Sequence, residues 1–311
     1  MTTLVFGGTG LVGTALKKYK PDWTYLGSSS GNLLKKEECE FIFKHYMNKD
    51  KGIKQIIFLA ANVGGLYKNM DNNLDIYLDN MKMQMNVMEC SAKFGIEKGI
   101  FCLSTCIFPD KIDSYPIKED MLHQGLPHTS NEGYAFAKRN LEVMCRMYNK
   151  RTSRARFTCI TPTNIYGEND NFNLSDGHVL PVLIHKAHLA SENDGRKFIL
   201  RGTGGALRQF IYSQDVARLI IRILETKIEI DNIILTPSEE KSIKEVAEHI
   251  ASRFGIDEIY YDKKYSDGQY KKTASNELIR KIFPDFKFTP FETGIDNTIN
   301  WFLKYYPNVR K

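Results

Sequence analysis

Thr3-Leu4-Val5-Phe6-Gly7-Gly8-Thr9-Gly10-Leu11-Val12-Gly13 decides the fold of this 311-residue chain. Thr3–Phe6 is a short β-rich run. Gly7, Gly10 and Gly13 follow as G-x-x-G-x-x-G, and apolar residues from Leu11 to Tyr19 recur at helical spacing. A strand that turns through glycines into a helix is the phosphate corner of a dinucleotide site. One glycine permits the tight turn, one lets the backbone approach a pyrophosphate, and one lets the helix pack closely on the strand. The helix N-terminus offers free N–H groups and a partial positive charge to the anion. Gly7, Thr9, Gly10, Leu11, Val12 and Gly13 are the candidate cofactor contacts.

Outward from this corner, apolar runs alternate with helical patterns. Trp23–Leu26, Ile56–Ala60, Ile100–Leu103 and Phe157–Ile160 read as strands. Glu37–Tyr46, Leu74–Phe94 and Tyr134–Tyr148 read as helices. The alternation predicts a Rossmann-like, doubly wound parallel sheet with helices on both faces. After about Gly167 the texture changes to polar turns, short strands and shorter helices: Val179–Ala190, Val216–Leu224, Ile243–Phe254 and Glu277–Phe283. The expected organisation is a cofactor domain over 1–166, with returning segments near 209–236. A smaller C-terminal α/β substrate domain takes up 167–208 and 237–311. Ile233–Leu235 is a candidate returning strand.

The composition excludes several classes. With 42% apolar residues the chain can bury a core, which argues against disorder. A net charge of +6 without a long basic run does not demand a nucleic-acid groove. No apolar run reaches the roughly 18 residues of a membrane span, and the first residues lack a signal-peptide pattern. The expected compartment is the cytoplasm, with Cys39, Cys90, Cys102, Cys106, Cys145 and Cys159 as free thiols. None forms a CxxC pair, and no His/Cys cluster completes a metal site.

The cofactor's second ribose is read next. An acid about 20 residues past the glycines would grip the hydroxyls of NAD. Leu26–Asn32, LGSSSGN, holds no acid, and serines such as Ser28 and Ser29 can donate hydrogen bonds to a 2′-phosphate. NADP is therefore favoured over NAD. Tyr134 and Lys138 form Tyr-x-x-x-Lys on one helical face, where an ammonium is expected to draw the phenol's pKa down from about 10. Ser104 lies just past the strand Ile100–Leu103, at the carboxyl end where such sheets place ligands. Each feature alone also fits a bland reading, as an exposed helix face or a strand-end turn. The ordered conjunction is what carries chemistry: tyrosine exchanging a proton with a substrate oxygen while hydride moves, and serine holding the same oxygen.

Glycine loop, serine and Tyr-x-x-x-Lys in that order resemble the short-chain dehydrogenase/reductase superfamily, in its extended branch acting mostly on nucleotide sugars. Further segments narrow the likeness: AANVGGL (60–66), STCIFPD (104–110), SNEGYAFAK (130–138), TPTNIYGENDNF (161–172), DGHVLPVLIHK (176–186), RQFIYSQD (208–215) and SDGQYKKTASN (266–276). Together they resemble the GDP-L-fucose synthase family, from Phe6 to about Phe291. That resemblance implies C3 and C5 epimerisation of GDP-4-keto-6-deoxy-D-mannose, reduction of C4 by NADPH, and a homodimer. It implies Cys106 and His178 as the epimerisation acid/base pair. It implies Ala60, Ala61, Pro162 and Asn164 beside the cofactor, with Tyr134 and Lys138. It places Asn164, Val179, Lys186, Arg201, Arg208 and Lys272 on the substrate. The family often has an aromatic residue where this chain has Arg201. A guanidinium can stack on guanine, and a changed base preference stays open. Two rival readings remain: a nucleotide-sugar 4-epimerase or dehydratase of the same branch, and a catalytically inactive NADP-sensing regulator.

Overall fold

The computed structural model describes residues 2–50, 52–64, 70, 72–152, 155–192, 197–265, 267 and 269–311. In chain order the first half runs β1 (Thr3–Phe6), α1 (Leu11–Tyr19), β2 (Thr24–Leu26), α2 (Lys36–Lys49), β3 (Gln55–Phe58), α3 (Asn73–Lys93), β4 (Lys98–Cys102), α4 (Glu132–Arg151) and β5 (Arg156–Pro162). The second half runs β6 (Asn164–Tyr166), α5 (Val179–Ser191), β7 (Phe198–Arg201), β8 (Leu207–Arg208), β9 (Phe210–Tyr212), α6 (Ser213–Glu225), β10 (Asn232–Leu235), β11 (Lys241–Ser242), α7 (Ile243–Arg253), β12 (Ile259–Asp262), α8 (Glu277–Ile282) and α9 (Phe291–Tyr305).

Six strands form one sheet in the order β10-β5-β4-β3-β1-β2, and every neighbouring pair is parallel. The chain winds from β1 to β2 on one side, then crosses to β3 on the other. The strand order reverses there, and a crevice opens at the carboxyl ends of β1 and β3. Strand periodicity of two explains the two apolar layers. Leu4, Phe6, Ile56 and Phe58 face Phe43 of α2, Val87 of α3 and Leu141 of α4. Val5, Ile57 and Ile100, the alternate positions, face Leu16 of α1 and Leu219 and Ile220 of α6.

A third core lies beyond the sheet, built from Phe172, Leu183 and Ile184 of the α5 region, Phe198 of β7, Val246 and Ile250 of α7, and Ile295 and Phe302 of α9. Parallel pairing of β6 with β9 joins it to the end of β5. Strand β3 stops at Phe58, short of the expected Ala60. The Leu59 amide still donates to the Phe6 carbonyl at 2.9 Å; beyond it the chain leaves the ladder and is held by Asn80, which accepts from the Asn62 amide and donates to the Asn62 carbonyl. Helix α9 and the β7–β12 pair are absent from the sequence expectation. Gly294, Thr298 and three Asn/Asp residues dilute the helix signal, yet Phe291, Ile295, Ile299 and Phe302 form the buried stripe. Gly294 is needed there because a Cβ would come within 2.2 Å of the Tyr166 hydroxyl. Among the described residues no helix is long and apolar enough to cross a membrane.

Candidate active site

The crevice is a cleft of about 1070 Å³. One end is the glycine corner. Gly7 has a left-handed φ of +79°, and a Cβ there would strike the Ala60 amide at 2.8 Å. A Cβ on Gly13 would sit 2.5 Å from the Gly8 backbone, so the close α1–β1 approach requires glycine. A Cβ on Gly10 would meet only the Gly7 carbonyl, at 3.4 Å. Its open side belongs to the cleft, into which a pyrophosphate fits and a side chain would intrude. Helix α1 starts at Gly10 with no side-chain cap and no acid in its first turn, leaving its N–H groups and positive dipole end for an anion. The donor set therefore fits a dinucleotide. Gly7, Thr9, Gly10, Leu11, Val12 and Gly13 all line the cleft, as do Ala60 and Ala61 from the segment after β3.

Ser28–Ser30 form one 3-10 turn at the adenosine end. Ser28 and Ser30 line the cleft and Ser29 does not. Three residues complete one such turn, so three consecutive side chains point in three directions and one of them must leave the wall. Ser28 and Ser30, rather than the expected Ser28 and Ser29, face this part of the cleft.

The chemical end is built on β4 and α4. Ser104 follows β4, lines the cleft, and caps a short 3-10 turn, its Oγ accepting from the Cys106 amide at 3.5 Å. Tyr134 is only 7% exposed and reaches the cleft from the first turn of α4. Gly133 before it accepts no side chain, because a Cβ would lie 2.1 Å from the Asn73 carbonyl. Lys138 is 1% exposed, its Nζ 2.7 Å from the Cys102 carbonyl and 5.6 Å from the centre of the Tyr134 ring. The expected lowering of the phenol's pKa is not met. Burial pushes Tyr134 well above 10, and the Lys138 ammonium, itself lowered by burial, is spent on the Cys102 carbonyl. Tyr134 is thus a neutral phenol, the form that donates. Cys106 is half-buried and its thiol is also pushed up by burial, opposed by the Ser104 hydrogen bond and the cations of Lys272 and Lys138.

The opposite wall comes from the loop between β6 and α5. His178 is the N-cap residue of α5 and lines the cleft together with Val179. Burial, with Arg310 nearby, pushes its imidazole below the usual range, while Asp176 opposes them. Pro162 and Asn164 line the floor, Asn164 donating to the Gln209 carbonyl at 2.9 Å. The four expected cations stand apart from this lining. Lys186 donates to the Ile199 carbonyl at 3.1 Å and feels Arg201, which stacks on Tyr265 at 4.6 Å. Arg208 donates to the Leu207 carbonyl at 2.7 Å and lies within electrostatic reach of Lys272. Gly65 and Leu66 of the AANVGGL segment, and Ser266 and Gly268 of SDGQYKKTASN, lie outside the described residues. Among the described residues no cluster of His, Cys, Asp and Glu is arranged to hold a metal.

Residues 3–234 match the model of the NAD dependent epimerase/dehydratase family. A GDP-L-fucose synthase from Dictyostelium discoideum is 42% identical over the whole of this chain and 98% of its own length. The chain belongs to the GDP-L-fucose synthase family. A probable GDP-L-fucose synthase from Drosophila melanogaster is 41% identical, with 99% of each chain covered. The crystal structure of a GDP-L-fucose synthetase from Naegleria fowleri bound to NADP superposes with a TM-score of 0.92 at 42% identity, covering 100% of this chain and 95% of that one.

Among the lining residues of this GDP-L-fucose synthase family member that escape a reading of motifs are Asp170, Asn171, Asp176 and Arg310. The first three sit inside quoted segments, where acids and amides beside a turn read as loop formers. Arg310 carries no local signal, since only the third core brings it back to the cleft.

Proposed function

We propose that this chain is a bifunctional epimerase-reductase that converts GDP-4-keto-6-deoxy-D-mannose to GDP-L-fucose, with NADP(H) as cofactor. What carries the reading is convergence. Ser104, Tyr134 and His178 come from three different elements onto the same cleft as the glycine corner, with the Cys106 amide donating to the Ser104 hydroxyl. The bound NADPH supplies the hydride that reaches C4.

The chain's own groups do the rest. Ser104 and the neutral Tyr134 donate to the C4 oxygen. Negative charge grows on that atom in the enolate of each epimerisation and again on reduction, so one pair of donors serves all three steps. Tyr134 gives the C4 oxygen its final proton, with Lys138 held at its flank by the Cys102 carbonyl. Cys106 and His178 move protons at C3 and C5. Burial leaves them as thiol and neutral imidazole at rest. The thiol becomes a base once its proton passes to solvent, a loss made easier by Ser104, Lys272 and Lys138.

We assign the nucleotide sugar to 167–208 and 237–311, with Lys186, Arg201, Arg208 and Lys272 on the GDP portion. Their paired charges suit a diphosphate, and the Arg201–Tyr265 stack offers a flat surface to a base. The working form is a cytoplasmic homodimer through α3 and α4. Exposed Leu74, Leu78 and Met85 on α3 and Met147 on α4 support that face. Feeding GDP-4-keto-6-deoxy-D-mannose and NADPH tests the reading. GDP-L-fucose should accumulate with stoichiometric loss of NADPH absorbance. Product without net NADPH loss would mean a cofactor-recycling 4-epimerase, and binding without product a regulator.

A further inference from the structure

Arg310 lines the cleft on the same wall as His178. Its backbone fixes it there. The Phe172 amide donates to the Arg310 carbonyl at 2.9 Å, and the neighbouring Val309 is buried in the third core. Phe172 and His178 share the loop between β6 and α5, so one tether holds the segment of the guanidinium to the loop of the imidazole. Asp170 completes this wall. It is 4% exposed, one carboxylate oxygen accepts from the Asn171 amide at 2.7 Å, and the other has no hydrogen-bond partner. A buried carboxyl with a spare oxygen is costly unless a cation faces it. No step derived above uses either group.

We propose that Arg310 is a positioning residue of the epimerisation, acting through His178: it sets a guanidinium on the wall that carries the imidazole, with Asp170 as its buried counter-group. This rests on the reading of His178 as a proton carrier. The charged groups acting on the imidazole are Arg310, from the segment after α9, and Asp176, from its own loop; Ser104 and Tyr134 line the same cleft uncharged. A cation there disfavours imidazolium. His178 therefore waits as a base, and after taking a proton it gives it up readily. A group that must accept and return protons within one bound state needs both properties. Asp170, pushed up to about 7 by burial, is in turn drawn toward ionisation by the charge of Arg310.

The test is an NMR titration of protein labelled with carbon-13 at histidine Cε1, the His178 signal being assigned by its loss in His178→Asn. In Arg310→Gln the His178 midpoint should rise by about half a pH unit, the effect of one partly screened charge. Arg310→Lys should keep the parental midpoint. The backbone tether survives both changes, so a purely structural role for Arg310 leaves His178 unmoved, and an unmoved midpoint in Arg310→Gln overturns the proposal. So does a shift shared with His185 and His188 of the third core, which marks a loosened fold. The titration needs no turnover. The role of His178 itself fails separately, if His178→Asn keeps parental deuterium exchange at C3 and C5.

Discussion

Replacing Gly133 by alanine tests whether a backbone approach, rather than any catalytic side chain, sets the site. The added Cβ would lie 2.1 Å from the Asn73 carbonyl and 2.6 Å from the Asn73 side-chain oxygen, which now accepts from the Gly133 amide at 2.6 Å. Ordinary contact needs roughly 3.4 Å or more, so α3 and α4 must separate by about an ångström at their first turns. Overpacking of this kind costs about 1–3 kcal/mol. Tyr134 is the next residue and moves with the backbone. A misplacement of about 1 Å in a proton donor lowers turnover by about 100-fold. The glycine corner is built on other elements, so NADPH should still bind, with affinity falling far less than turnover. The assays are NADPH oxidation with the keto sugar, cofactor binding by fluorescence, and thermal unfolding. Parental kcat together with a lowered Tm would refute the link between the α3–α4 contact and Tyr134.

Four further outcomes follow from the same geometry. Tyr134→Phe and Ser104→Ala should each lower kcat for C4 reduction by about 100- to 1000-fold, the worth of one oxyanion donor, and stopped-flow absorbance reads it. Cys106→Ser should lose deuterium uptake at C3 and C5 in heavy water while still binding NADPH; unchanged uptake would remove Cys106 from the proton path. Ser28→Asp should weaken NADPH at least about tenfold and leave NADH little changed, as titration calorimetry would show, because a carboxylate repels a 2′-phosphate. Asp170 has a folded pKa of about 7, above its ordinary 3.8, so the folded state holds a proton that the unfolded state has released. Its contribution is most favourable below about 3.8 and is lost as pH rises toward 7, by up to roughly 1.4 kcal/mol per pH unit. Asp170→Asn should flatten that decline in urea unfolding followed across the interval.

The sequence alone determined the elements whose signals are local. Gly7, Gly10 and Gly13 between a strand and a helix dictate a phosphate corner: backbone clearance permits no other residue at Gly7 and Gly13, and at Gly10 a side chain would intrude on the cleft. Continuous apolar runs in β1 and β3 dictate a sheet buried on both faces. The order of Ser104, Tyr134 and Lys138 is read the same way. Tertiary structure alone decided how these groups are charged and what faces them. Tyr134 is held neutral because burial outweighs a lysine turned toward the Cys102 carbonyl, and i,i+4 spacing says nothing about either. Ser29 leaves the wall and Ser30 takes its place through the phase of one 3-10 turn. Asp170, His178 and Arg310 share a wall only because the third core folds α9 and the chain after it back onto the loop before α5. Electrostatic fields and desolvation depend on distance through space, and distance along the chain does not encode them.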